Sequence, residues 1–154
     1  MKVEGEISVQ APRELVFARL SDAFFFTSCI DGVKELNAID QTHYNALFAT
    51  RIAYLRFTFK VNVEMTRIEP PHKIEAKVEG TPLGVVGRMT ATAATELSED
   101  NGQTTIRYSI EATITGKLGS MGEPVLRAKA KEMEKQFSQN LTATFAGGNT
   151  EAGR

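Results

Sequence analysis

Apolar and polar residues alternate one for one through most of this chain, the spacing expected of strands that rest one face on a core. Val3, Gly5, Ile7 and Val9 alternate with Lys2, Glu4, Glu6, Ser8 and Gln10, which predicts a first strand. Ala11-Pro12-Arg13-Glu14 then opens a helix. Pro12 is expected in its first turn, where a missing N–H costs no hydrogen bond. Leu15, Val16, Ala18 and Leu20 form its apolar face. Ser21-Asp22 reads as a second helix start, leading through Phe24-Phe25-Phe26 to an end near Ile30-Asp31-Gly32.

Six more strands are expected. Val33–Ile39 and His43–Arg51 flank the polar turn Asp40-Gln41-Thr42. The clearest carries Phe57, Phe59, Val61, Val63 and Met65 on one face and stops at Pro70-Pro71, which cannot continue a central ladder. His72–Gly80 follows, then a glycine-rich loop over Thr81–Gly87. Arg88–Leu97 and Gln103–Thr115 form a hairpin through Ser98-Glu99-Asp100-Asn101-Gly102. Thr104, Ile106, Tyr108, Ile110, Ala112 and Ile114 share one face of the last strand.

The period then lengthens. Leu126, Ala130, Met133, Phe137 and Leu141 are spaced four or three apart within Met121–Phe145, one stripe of a long amphipathic helix. Arg127, Lys131, Lys135 and Gln139 fall largely outside it. Pro124 places the helix start near Gly122 or Glu123. Residues 1–146 read as one domain, with 147–154 as a short flexible tail.

Composition narrows the function classes. The chain has 154 residues and a formal net charge of −1, which lacks the cationic footprint of a nucleic-acid binder. A single cysteine, Cys29, excludes an internal disulfide and a cysteine-based zinc site. No run approaches the roughly 18 apolar residues of a membrane span, and the N-terminus lacks a signal-peptide pattern. The expectation is a cytoplasmic protein, with at most transient contact at the inner face of the membrane.

Seven strands at about 4.8 Å spacing make a sheet roughly 30 Å wide, which one helix of about 10–12 Å cannot cover. A sheet curled around the long helix, with the two short helices closing one end, leaves an interior space. The residues expected to line it are Phe25 and Phe26 of the second helix, then Tyr44, Phe48, Phe57, Phe59 and Val61 of the strands. Val86 and Met89 of the glycine-rich segment, Tyr108 of the last strand, and Met121, Leu126, Met133 and Phe137 of the final helix complete the set. Such a space suits an apolar, aromatic-tolerant ligand. The same residues equally describe a packed core.

Catalytic chemistry is weakly signalled. His43 and His72 lie apart on strand edges, and no metal-binding spacing occurs. Cys29 reads as a small buried hydrophobe. Gly84-Val85-Val86-Gly87-Arg88 lacks the phosphate-loop spacing. Arg51, Arg56 and Arg88 are expected to face solvent. Glu64, Glu75, Glu79 and Glu111 fall on the polar phase of their strands, so an inward acid or base is lacking. Tyr44 and Tyr108 fall on the apolar phase, where a hydroxyl can orient a ligand carbonyl or bond to the backbone.

The order and spacing of several short pieces resemble the START-like, or SRPBCC, helix-grip superfamily. The closer resemblance is to the CoxG family, named for a component of carbon monoxide dehydrogenase. The pieces are Gly5-Glu6-Ile7-Ser8-Val9 with Ala11-Pro12, Cys29-Ile30-Asp31-Gly32-Val33, and Phe59-Lys60-Val61-Asn62-Val63 leading to Ile68-Glu69-Pro70-Pro71-His72. Gly116-Lys117-Leu118 with Gly122, and Lys135-Gln136-Phe137-Ser138-Gln139-Asn140-Leu141, complete them. Asp31-Gly32 stands where the family usually has Pro-Gly.

The resemblance implies an α+β helix-grip fold, with a seven-stranded antiparallel sheet curved around a long C-terminal helix. It also implies a noncatalytic accessory protein that holds a quinone-like or lipid-like molecule and serves a molybdenum hydroxylase such as carbon monoxide dehydrogenase. No catalytic residue and no cofactor are implied beyond that bound molecule. A polyketide cyclase or aromatase on the same architecture, and a ligand-free assembly module, are the alternatives.

Overall fold

In a computed structural model, the backbone is described for residues 1–152 and the side chains for residues 1–146. The chain forms β1 (Lys2–Val9), α1 (Arg13–Leu20), α2 (Ala23–Ser28), β2 (Val33–Ala38), β3 (His43–Ile52), β4 (Leu55–Glu69), β5 (Lys73–Pro82), β6 (Gly87–Asp100) and β7 (Gln103–Thr115). A short α3 (Gly116–Gly119) and the long α4 (Glu123–Ala152) follow. The tail expected over 147–154 falls outside the residues described in full.

All seven strands form one antiparallel sheet in the order β1-β7-β6-β5-β4-β3-β2. The sheet is a meander from β2 to β7, with β1 returning to the free edge of β7. Its register places paired residues on a common face. Gly5, Ile7, Tyr108, Ile106 and Leu97 therefore share the inner face with Ile74, Val63 and Phe59. The Asn101-Gly102 hairpin has positive φ at both residues, as a two-residue turn matching the strand twist requires.

Local departures from the sequence reading have identifiable causes. Pro12 caps α1 from outside instead of entering its first turn, and its carbonyl accepts the first helical bond from Val16 N at 3.1 Å. Asp22 caps α2 by accepting from Phe24 N at 3.0 Å. The strands around the glycine-rich loop run further than expected, leaving only residues 83–86 between β5 and β6. The register of β4 shifts between Met65 and Arg67, so the inward phase passes from Met65 to Ile68. The unexpected α3 turns the chain from β7 into α4, with Leu118 buried beneath it.

Two separate apolar clusters close the ends of the grip. At the helix end, Ile7, Val9, Val16, Phe17, Cys29, Leu97, Ile106, Leu141 and Phe145 are buried together. Asn140 of α4 locks this end by donating to the Cys29 carbonyl at 2.9 Å. Asp31 adds its own N–H to Gln136 Oε1 at 3.3 Å, a bond that proline at this position would lack. At the loop end, Ile52, Phe57, Phe59 and Leu118 are buried, with Met121 and Val125 of α4 packed against them.

Candidate functional site

Between the two clusters the inner face of the sheet is apolar but only partly covered. One row across it runs Tyr44, Val63, Val78, Ala91 and Ala112, and the next runs Met65, Ala76, Ala93, Ile110 and Val3. Apart from buried Tyr44, every residue of both rows retains solvent exposure. Four of the ten are alanines, whereas the end clusters are built from phenylalanine, leucine and isoleucine. Small side chains on an inward face leave space that large ones would fill. The backbone of α4 makes its nearest approaches to β1 and, less closely, to β3, which flank these rows.

Each flank also opens to solvent. A cleft of about 360 Å³ lies beside α2, with Phe24, Tyr44, Met65 and Ile68 in its wall. A second, of about 110 Å³, separates β1 from α4 and is walled by Val3, Ala130, Arg127 and Glu134. Tyr44 and Met65 on one side and Val3 on the other belong to the two apolar rows. The clefts are therefore flanking openings onto the same surface.

The expected lining residues divide among three places. Phe57 and Phe59 are buried in the loop-end cluster, with Phe48 and Val61 packed against it and Phe48 stacked on Phe59 at 6.1 Å. Met89 reaches over Gly80 beside Phe59, and Met121 packs at the same end. Phe25 and Phe26 sit at the helix end, against Phe145 at 5.9 Å and Phe137 at 5.3 Å. Tyr44, Tyr108, Leu126 and Met133 lie between; all but Tyr44 are partly exposed. Val86 does not point inward: it is 82% exposed on the β5–β6 loop, because its backbone carbonyl turns to accept Lys117 N. Val125, one residue before Leu126, is the α4 side chain that packs into the loop-end cluster.

Two polar groups of the grip escape a reading based on the apolar stripe. Glu134 of α4 accepts a hydrogen bond from the Tyr108 hydroxyl at 2.6 Å, which brings a carboxylate to the edge of the inner face. Burial and this carboxylate both push the Tyr108 phenol above its ordinary pKa. Lys129 is only 14% exposed despite its charge and reaches out to Glu132 at 2.5 Å, burying its stem along α4. The signal available in the sequence was adjacency. Glu134 follows Met133, and Lys129 lies four residues before it.

The remaining candidates take structural places. Glu64, Glu75, Glu79 and Glu111 form ion pairs on the outer face, among them Glu79 with Arg88 at 3.0 Å. His43 bonds to Asp40 at 3.0 Å in the β2–β3 turn, and hydrogen bonds from Thr42 N and His43 hold Asp40 at a pKa of about 2. Cys29 is 2% exposed, and burial raises its thiol pKa. Among the described residues no cluster of side chains suited to a metal ion occurs. No helix there is long and apolar enough to cross a membrane.

Comparison with solved structures places the fold among START-like proteins. A conserved protein from Geobacillus kaustophilus is 25% identical with a TM-score of 0.86, and the match covers 96% of each chain. A START superfamily protein from Mycobacterium smegmatis superposes with a TM-score of 0.72 at 10% identity, over 95% of this chain and 97% of that one. The Mll3558 protein from Rhizobium loti gives 0.67 at 13% identity, over 93% and 95%. No curated protein sequence is detectably similar. The model of one family, the carbon monoxide dehydrogenase component CoxG, matches residues 5–146. This chain belongs to the CoxG family.

Proposed function

We propose that this protein is a noncatalytic accessory protein whose grip holds a hydrophobic small molecule, quinone-like or lipid-like, in the service of a molybdenum hydroxylase such as carbon monoxide dehydrogenase. The observation that carries this reading is the alanine-rich middle of the inner face, partly exposed between two closed ends and open on both flanks. Apolar surface in that setting is best satisfied by an apolar guest, because each Å² removed from water contributes about 25 cal/mol. Phe59 and Phe137 bound the space from its two ends, and Tyr108 offers an oriented hydroxyl to a ligand carbonyl. The partner enzyme follows from the family description, since electrons leaving a soluble dehydrogenase need an acceptor that water excludes.

The test is titration of the purified chain with a short-chain quinone and with a fatty acid, followed by intrinsic tyrosine fluorescence. Saturable binding, weakened in Phe59→Ala and Phe137→Ala, supports the reading. Absence of binding by both probes refutes it.

The Tyr108–Glu134 pair supports a second reading, an enzyme of the polyketide cyclase or aromatase type, because it supplies the inward acid that such chemistry needs. Turnover of an aromatic polyketide by the wild type, lost in Glu134→Gln, favours that reading over the carrier.

A further inference from the structure

The two ends of the sheet differ in charge. The β2–β3, β4–β5 and β6–β7 connections at the helix end carry Asp40, Glu69, Glu99 and Asp100 at or beside their turns. At the loop end, three segments meet that contain no aspartate or glutamate: residues 41–63, 80–95 and 112–122. Leu83 N donates to Thr58 O, and Lys117 N to Val86 O, so the β3–β4 turn, the β5–β6 loop and α3 are contiguous.

This acid-free end is apolar at its tips and cationic behind them. Tyr54 is 97% exposed and Leu55 55% in the β3–β4 turn, and Leu83 is 49% and Val86 82% exposed in the β5–β6 loop. Arg51 and Arg56 are paired directly across the hairpin on its outer face. Both are exposed, and like charges set directly opposite destabilise a hairpin. Lys60 and Lys117 are exposed nearby, and among the described residues none of the four cations has a side-chain ion pair.

We propose that the loop end is a docking face for an anionic lipid surface, with Tyr54, Leu55, Leu83 and Val86 entering the interface and Arg51, Arg56, Lys60 and Lys117 meeting lipid phosphates. The arrangement gives an apolar tip for the acyl boundary and a cationic collar for the headgroups. Lipid phosphate relieves the Arg51–Arg56 opposition, and the acidic helix end is held away from the negative surface. The inference is independent of the ligand reading. A chain that binds vesicles but no quinone or fatty acid supports this one and refutes that one.

The test is co-sedimentation of the full chain with vesicles of phosphatidylcholine, with and without phosphatidylglycerol, across a salt series. The expected result is salt-sensitive binding to the phosphatidylglycerol vesicles. It should fall at least about tenfold in Arg51→Glu/Arg56→Glu and in Tyr54→Ser/Val86→Ser, since each cation near such a surface contributes roughly fivefold. Arg51→Gln/Arg56→Gln should show an intermediate loss with an unchanged circular dichroism spectrum. Ile39→Ser, an exposed apolar change at the opposite end, should bind like the wild type. Absence of wild-type binding, equal binding by all variants, or retention by an acidic protein with no vesicle binding would overturn the proposal.

Discussion

The hydroxyl of Tyr108 on β7 passes over Gly5 of β1 and reaches Glu134 Oε1 on α4 at 2.6 Å, so one side chain ties the sheet to the helix across the flanking cleft. Gly5 and Tyr108 are direct cross-strand partners. A Cβ at Gly5 would run into the Tyr108 hydroxyl and ring, which is why glycine occupies this place in an otherwise regular strand.

This geometry predicts coupled mutational effects. Gly5→Ala is expected to destabilise the fold by about 2 kcal/mol, in the range of overpacking. Tyr108→Phe removes a hydrogen bond to a charged acceptor and should cost about 1.5 kcal/mol. Because both changes disturb one contact, the effects of Gly5→Ala and Tyr108→Leu should be less than additive in urea unfolding. Additive losses would mean that the two residues act independently.

Alkaline stability should report the buried tyrosines. Burial pushes Tyr44 from 10.0 up to about 12, and Tyr108 rises in the same direction. The native state therefore holds these phenolic protons more tightly than the unfolded chain does. Their stabilising contribution is complete below pH 10 and is lost as pH climbs through the native values. Unfolding free energy should thus be insensitive to these groups up to about pH 9 and fall between about 10 and 12. Tyr44→Phe should flatten part of that fall. An unchanged slope in Tyr44→Phe would show that the side chain titrates normally.

Much of this fold was legible because the inward phase of each strand is written in period two. Phe57 through Met65 and Thr104 through Ile114 lie on the face their alternation predicts. The long helix followed from Phe137 and Leu141, which are packed at the helix end as expected. What escaped was set by tertiary context. The four-residue α3 lacks any side-chain cap, so nothing local marks it. Glu134 draws its meaning from Tyr108, 26 residues away, and Val86 was displaced outward by a backbone bond that no periodicity encodes.

Cys29 provides a kinetic probe of the helix end. It is 2% exposed, its carbonyl is held by Asn140, and its thiol pKa is raised by burial. Its reaction with a thiol-specific disulfide reagent should be far slower than that of a free thiol and should accelerate on unfolding. Asn140→Ala leaves the Cys29 carbonyl short of a donor and should speed labelling while costing about 1–2 kcal/mol. Rapid labelling of the native wild type would show that this end opens freely.

The alanine-rich middle of the inner face makes the most direct test available, because space and packed core respond oppositely to added volume. Ala91 lies in the row between Val78 and Ala112. In a filled interior, Ala91→Phe would cost about 1–3 kcal/mol. The decisive measurement is native mass spectrometry of wild type and Ala91→Phe, each purified without detergent and then mixed with a short-chain quinone. A bound mass on the wild type, absent from a variant of undiminished thermal stability, is the expected result. Bare protein in both samples, with the variant melting well below the wild type, would contradict a guest-binding grip.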